Sequence, residues 1–101
     1  MDPNTIAQEV RSRFDHATAK RLTKEKYEAR LVFAYNGGMW RASPEMITFL
    51  SLYGEEEVVI PDLYETPVKV YASLLCSIMK ERWQEQMNAW LVEYEQLNKN
   101  R

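Results

Sequence analysis

The sequence predicts a single small α+β domain in which a helix, a hairpin, a second helix, a second hairpin and a long C-terminal helix follow one another. Two observations carry this prediction: apolar residues recur every three or four positions in the helical stretches, and they alternate in the hairpin stretches. The chain has 101 residues, of which 46% are hydrophobic, so it forms one modest core and lacks the composition of a disordered protein. Within one domain of residues 1–101 we predict a helix at 3–24, a hairpin at 29–42, a helix at 44–53, a hairpin at 57–70 and a helix at 73–97.

The first helix is predicted from its start signal and its spacing. Asp2 followed by Pro3 matches an N-cap and a first turn, because proline lacks only a backbone donor that is unpaired there. Apolar residues then recur at helical intervals, and basic residues crowd the rest of the circumference. The apolar positions are Ile6, Val10, Phe14, Ala17 and Leu22, and the candidate basic face is Arg13, Lys20, Arg21, Lys24 and Lys26.

The first hairpin is predicted from the pair Asn36-Gly37 between two alternating runs. This pair is typical of a type I′ turn, because both central residues of that turn adopt positive φ. A two-residue loop pairs Phe33 with Trp40. Leu31, Phe33, Tyr35, Trp40 and Ala42 then share one face of the sheet, and the mixed set Arg30, Val32, Ala34, Met39 and Arg41 shares the face that we expect to meet solvent.

The second helix begins with Ser43 as its cap and Pro44 in its first turn, and Gly54 stops it. The helix is apolar on more than one side, so we expect it to be buried between other elements. Two β-branched runs at 58–60 and 68–70 then predict the second hairpin, with prolines at the rim of a longer loop.

The last helix, at 73–97, is the longest predicted element of the chain. Its length of about 37 Å, at roughly 1.5 Å per residue, exceeds the diameter of a compact domain of this size. Its far end therefore projects, and either the first helix folds back along it or a second copy covers it. We expect a homodimer with Trp90 and Tyr94 at its centre. The apolar stripe is Leu75, Met79, Trp83, Met87, Trp90, Tyr94 and Leu97, and the candidate partner or self-association surface is Trp90, Leu91, Tyr94 and Leu97.

Charge and cysteine content narrow the class of protein. The net charge is −2, and it is divided unevenly, with eight Lys/Arg against five Asp/Glu in residues 1–42 and five against ten in residues 43–101. An acidic chain argues against general nucleic-acid binding. A single cysteine, Cys76, and the lack of a secretion signal predict a cytoplasmic protein, and no apolar run is long enough to span a bilayer.

Four segments resemble small proteins encoded by tailed phages of cyanobacteria. The segments are GMWRASPEMITFL at 38–50, EVVIPD at 57–62, PVKV at 67–70 and MNAW at 87–90, and the resemblance covers about residues 31–97. The chain departs from the pattern at Tyr71, where a polar capping residue is expected before the last helix. The resemblance implies a viral accessory or assembly protein, and it assigns no functional residue.

No arrangement of residues predicts catalysis, a metal site or a cofactor. His16 and Asp15 are neighbours on one helix, so their side chains diverge by about 100°, and Cys76 is expected to be a small buried hydrophobe. We therefore predict a protein that is not an enzyme. The leading hypothesis is a protein-binding module, a phage assembly factor or a modulator of a host protein. The alternative is nucleic-acid binding through the basic first helix, with Trp40 or Tyr35 as a stacking surface.

Overall fold

The computed structural model describes residues 3–99, and it confirms the α+β class and the predicted order of elements. The proposed cap Asp2 lies outside the described residues. The elements are α1 Pro3–Ala29, β1 Val32–Tyr35, β2 Gly38–Arg41, α2 Pro44–Ser51, β3 Glu57–Pro61, β4 Pro67–Tyr71 and α3 Ala72–Lys99.

The first helix continues to Ala29, beyond the predicted end at residue 24. Two ion pairs one turn apart along the helix support its last turns, Arg21 with Glu25 at 3.9 Å and Lys24 with Glu28 at 3.7 Å. Lysine, glutamate and alanine are also strong helix formers. Apolar spacing alone placed the helix end too early, because these last turns carry few apolar residues.

The first hairpin has the predicted turn and the predicted register. Asn36 and Gly37 both adopt positive φ, 52° and 82°. Phe33 pairs with Trp40, and the amide of Ala42 donates to the carbonyl of Leu31 at 2.9 Å. Leu31, Phe33, Trp40 and Ala42 are buried and Tyr35 is half-buried, whereas Ala34 and Arg41 on the other face are exposed. The face assignment made from the sequence is therefore confirmed.

Replacing Gly37 by valine should destabilise this turn by about 1 kcal/mol or more, because a β-branched residue resists positive φ. The effect should come from backbone strain alone, since no atom lies within 4 Å of the position that a Cβ would take. Chemical denaturation followed by circular dichroism measures the change. Gly37→Asn is the control, because asparagine tolerates positive φ, and an equal loss in both variants would contradict the argument.

Helix α2 has the predicted cap, and one of its sides is more exposed than we predicted. The amide of Met46 donates to Ser43 Oγ at 3.1 Å, and Leu50 is fully buried against α3. Phe49 and Tyr53, however, stack edge to face on the outer side, where both are partly exposed. The expected burial between other elements therefore holds for the side of α2 that carries Leu50, and the side that carries Phe49 is partly exposed.

The second hairpin pairs β3 with β4 in the antiparallel register Val58–Val70, Ile60–Val68 and Pro61–Pro67. Each hairpin forms its own two-stranded sheet. Isolated two-stranded sheets are marginal in water, so both depend on packing against helices. The shared core lies between the hairpins, α2 and the first half of α3, and its buried members are Leu31, Phe33, Trp40, Ala42, Leu50, Ile60, Val70, Ala72, Leu75, Cys76 and Met79.

Asp62 joins the two hairpins. Its carboxylate accepts from the amide of Met39 in β2 at 3.0 Å, and from the amides of Tyr64 and Thr66 in its own loop at 2.9 and 3.0 Å. These donors, Met39 first and Thr66 second, hold the pKa of the Asp62 carboxyl below its ordinary value of 3.8. A second link runs from the side-chain amide of Asn36 to the carbonyl of Lys69 at 2.7 Å.

We expect Asp62→Asn to lower the midpoint temperature of unfolding at neutral pH. We also expect the midpoint of this variant to change less than that of the parent as the pH is lowered. The side-chain nitrogen of asparagine is a hydrogen-bond donor, so at least one of the three backbone N–H groups that donate to Asp62 loses its acceptor. The pKa of Asp62 is lower in the folded state than in the unfolded state. The ionised carboxylate therefore stabilises the folded state fully at pH values above the ordinary pKa. This stabilisation is lost as the pH falls through the lower pKa of the folded state. Thermal unfolding between about pH 3 and pH 7 measures both effects.

Asp15→Asn is the matched control for Asp62→Asn, because Asp15 is exposed on α1. It should leave the midpoint and its acid dependence close to those of the parent protein. Equal acid dependence of the parent and Asp62→Asn would show that the link between the hairpins does not titrate as described.

The molecule is elongated, because α1 and α3 run side by side away from the hairpins. Its principal extents are 66 × 24 × 19 Å and its radius of gyration is 19.5 Å, against about 13 Å for a compact domain of 100 residues. The first helix therefore does fold back along the projecting end of α3. Its apolar positions do not face α3, since Ile6, Val10, Phe14 and Leu22 are all exposed.

Candidate functional site

Helices α1 and α3 meet through polar and aromatic side chains. Lys26 Nζ donates to Glu93 Oε1 at 2.9 Å, and this hydrogen bond raises the pKa of Lys26 and lowers that of Glu93. Lys20 lies 5.6 Å from the ring centre of Tyr94, within reach of a cation–π interaction. Tyr27 is buried. These contacts place the C-terminal half of α1 against the C-terminal half of α3.

Several polar atoms are buried without a protein partner on the C-terminal half of α3. They are Gln86 Oε1, Trp90 Nε1 and Glu93 Oε2, and Gln86 is the one buried polar residue among residues 4–99. Buried groups without hydrogen bonds reduce stability, so these three atoms weaken the contact between the two helices. The two helices therefore contact each other through polar groups, and apolar side chains of α3 lie on the outer side of the pair.

A groove runs along the outer side of α3, and we call it the α3 groove. Its floor consists of Trp83, Met87, Trp90, Leu91 and Tyr94. Two adjoining depressions of about 540 and 400 Å³ share Met87 and Trp90, so they form one continuous feature. Leu91 is 55% exposed, and the other four side chains are half-buried.

The walls of the α3 groove carry charges of both signs. One wall is the side of α1 that presents Lys20, Lys24 and Glu28. The opposite wall is the chain between the first hairpin and α2, from Arg41 to Glu45. An apolar floor between charged walls is the usual anatomy of a protein-binding site, in which a polar rim surrounds an apolar centre.

Residues 4–17, which we call the N-terminal arm, form the other unusual surface. Every side chain from Asn4 to Asp15 is exposed, and so is Ala17. The arm extends beyond the part of α1 that contacts α3. Val10 and Phe14 are 62% and 69% exposed, and with Ile6 and Ala17 they form an apolar stripe along one side of the arm.

The candidate basic face is divided by the structure. Arg21, Lys24 and Lys26 form ion pairs with Glu25, Glu28 and Glu93, and Lys20 lies over Tyr94. Arg13 lies on the N-terminal arm. Lys26 lies on the side of α1 that faces α3, away from the wall of the α3 groove. Four of the five basic side chains therefore have an acidic or aromatic neighbour, which reduces the positive field that α1 offers to a phosphate backbone.

The candidate association surface predicted from the sequence lies largely in the α3 groove. Trp90, Leu91 and Tyr94 are on its floor, and Leu97 is half-buried nearly one turn beyond Tyr94. Trp83, which the sequence places on the apolar stripe but not on the candidate association surface, also lines the groove. Sequence reasoning missed the wall from Arg41 to Glu45, for which the chain order gives no signal.

Comparison with family models, curated proteins and solved structures found no match.

Within residues 3–99 no helix is long and apolar enough to cross a membrane. The same part of the chain contains no group of three or more His, Cys, Asp or Glu residues placed to hold a metal ion. Cys76 is buried in the core, where its thiol lies 3.6 Å from the carbonyl oxygen of Ile47.

Proposed function

We propose that this protein is a protein-binding module that holds an amphipathic helix of a protein partner in the α3 groove. The observation that carries the proposal is the row of apolar side chains on the groove floor, which stays partly exposed between two charged walls. Grooves of this kind accept the apolar face of a partner helix, whose anchor residues recur every three or four positions.

The size of the groove suits such a ligand. Trp83 and Tyr94 are eleven residues apart on α3, so the floor is about 16 Å long at roughly 1.5 Å per residue. That length accommodates about three turns of helix. Tryptophan, tyrosine and methionine are also enriched in protein interfaces, and tryptophan and tyrosine are among the residues that contribute most to binding.

The charges on the walls set the kind of helix that fits. Lys24 and Arg41 stand on opposite walls, and so do Glu28 and Glu45. A partner helix with acidic and basic residues flanking its apolar face would find complementary charges on both sides, whereas a uniformly charged helix would meet repulsion.

The alternative function, nucleic-acid binding through the basic face of α1, has less support. The ion pairs of Arg21, Lys24 and Lys26 neutralise much of that face, and the net charge of the chain is −2. Of the two stacking residues considered for this function, Trp40 is only 2% exposed and Tyr35 is half-buried. A base could not stack on a side chain that is buried in the core.

The resemblance to proteins of cyanobacterial phages extends the proposal to the partner. It supports a host or virion protein as the partner, an assembly or accessory role, and the host cytoplasm as the place of action.

Binding to a lysate of the native host tests the proposal with one groove variant and one matched control. Leu91→Glu places a charge on the groove floor, and Val92→Glu places the same charge on the next exposed residue of α3, which does not line the groove. We expect mass spectrometry to identify a protein that the parent and Val92→Glu retain and Leu91→Glu does not. Equal retention by all three proteins, or retention that nuclease treatment abolishes, would contradict the proposal.

A further inference from the structure

We infer that the helix held in the α3 groove is the N-terminal arm of a second copy of this chain, so that two copies form a reciprocal dimer. This inference rests on the proposed function, because it names the occupant of the same groove. Each copy would place its arm in the groove of the other, and the dimer would contain the contact twice.

The arm and the groove match in length. The apolar stripe of the arm runs from Ile6 to Ala17, and the groove floor runs from Trp83 to Tyr94. Both span eleven residues of helix, or about 16 Å at roughly 1.5 Å per residue. The stripe is therefore long enough to extend along the whole floor.

A chain cannot place its arm in its own groove. Helix α1 is continuous from Pro3 to Ala29 and contains no glycine or proline after its first residue, so it has no hinge at which the arm could turn back. The arm points beyond the contacts that α1 makes with α3. Its apolar stripe must therefore find its cover on another molecule.

The stripe and the groove wall lie on the same side of α1. Lys24 follows Ile6 by eighteen residues and Glu28 follows Val10 by eighteen, which is five turns at about 3.6 residues per turn. Two α1 helices that meet in antiparallel orientation along this side therefore bring each arm against the wall of the other groove.

The residue at the centre of such a pair is small. Ala17, the last residue of the stripe, is exposed and lies midway in the sequence between Ile6 and Glu28, so it lets the two helices approach closely at the two-fold axis. Antiparallel pairing about Ala17 sets the neighbours of the stripe. Measured along the helix axis, Phe14 is level with the partner's Lys20, Val10 with the partner's Lys24, and Ile6 with the partner's Glu28.

Charges flanking the stripe are complementary in this register. Glu9 lies nearly level with the partner's Lys24, and Arg11 lies nearly level with the partner's Glu25 on the opposite flank. Both pairs occur twice in the dimer. Opposite charges at the flanks of antiparallel helices favour this register over shifted ones.

Light scattering at micromolar concentrations tests the dimer with two pairs of variants. The parent should have a mass of 24.0 kDa, twice the 12.0 kDa of one chain. Val10→Glu in the arm and Leu91→Glu in the groove should each reduce the mass to that of one chain. Their matched controls are Gln8→Glu, on the other side of the arm, and Val92→Glu, outside the groove, and both should remain dimers. All four positions are exposed, so the helical circular dichroism of the parent should persist.

Chemical cross-linking tests the position of the two-fold axis. A short bifunctional maleimide should link two chains of Ala17→Cys and should not link two chains of Val10→Cys, because the two Val10 positions lie about 20 Å apart along the axis of the pair. The native Cys76 is buried and should not react.

Three results would overturn the inference. The first is a parent mass of one chain at every concentration, and the second is a dimer that survives Leu91→Glu but not Val10→Glu, which would pair arm with arm. Efficient linkage of Val10→Cys in place of Ala17→Cys is the third. A monomeric parent whose groove still retains a host protein, with loss in Leu91→Glu, would overturn the dimer and leave the proposed function standing.

Discussion

Trp40→Ala should reduce the free energy of unfolding by about 3 to 5 kcal/mol, because it removes a large side chain from the centre of the hairpin core. The indole is 2% exposed and packs beside Phe33 across the hairpin. Its Nε1–H also donates to the carbonyl of Tyr35 at 2.9 Å. Urea denaturation followed by circular dichroism measures the loss, which is a large part of the stability of a small domain.

The close approach of Trp40 to Gly38 strengthens this expectation. A Cβ at position 38 would lie 3.0 Å from Cζ2 of the indole, so the ring packs directly on the glycine backbone. Trp40→Phe is the control, since it keeps an aromatic ring and loses only the donor and part of the volume. A loss below about 1 kcal/mol for Trp40→Ala would show that the hairpin does not depend on this packing.

Local chemistry accounts for the parts of the fold that the sequence predicts. Asn36-Gly37 sets the first turn and therefore the register of Phe33 with Trp40, because the backbone conformation of a two-residue turn is chosen by the turn residues themselves. Ser43 and Pro44 likewise set the start of α2. In both cases the determining residues are neighbours in the chain, so no tertiary information is needed.

Helix α1 shows where this reasoning fails. Apolar spacing predicts that Ile6, Val10 and Phe14 face the core, yet the side of α1 that meets α3 carries Tyr27 and the Lys26 ion pair. Apolar periodicity identifies which side of a helix is apolar and favours burial, but it does not identify the element that packs against that side. In a single chain the hairpin core is already filled, and the stripe of α1 lies beyond its reach.

The candidate site was partly predictable for a related reason. Trp90, Leu91 and Tyr94 lie on one continuous helix, so their common surface follows from the helix period. The walls of the α3 groove come from α1 and from the chain around Pro44, which are brought together only by the fold. The hydrogen bonds of Asp62 to β2 belong to the same class, because they join loops that are distant in sequence.

Trp83→Ala should reduce the free energy of unfolding by about 3 kcal/mol, near the lower end of the range for buried tryptophans, because this side chain is half-buried. It packs against the hairpin core from α3, between Met79 and Met87, and it also forms one end of the α3 groove floor. The change should therefore affect both stability and binding. Denaturation measures the first effect, and light scattering of the folded variant measures the second.

Trp90→Ala is the comparison that separates the two roles of Trp83. Trp90 is also half-buried on α3 and also lines the groove, but it lies outside the hairpin core, on the helix pair that retains unpaired polar atoms. Its loss should cost about 1 to 2 kcal/mol and should weaken association at least as much as the loss of Trp83. If Trp83→Ala proves no less stable than Trp90→Ala, Trp83 serves the groove alone and the hairpin core ends at Met79.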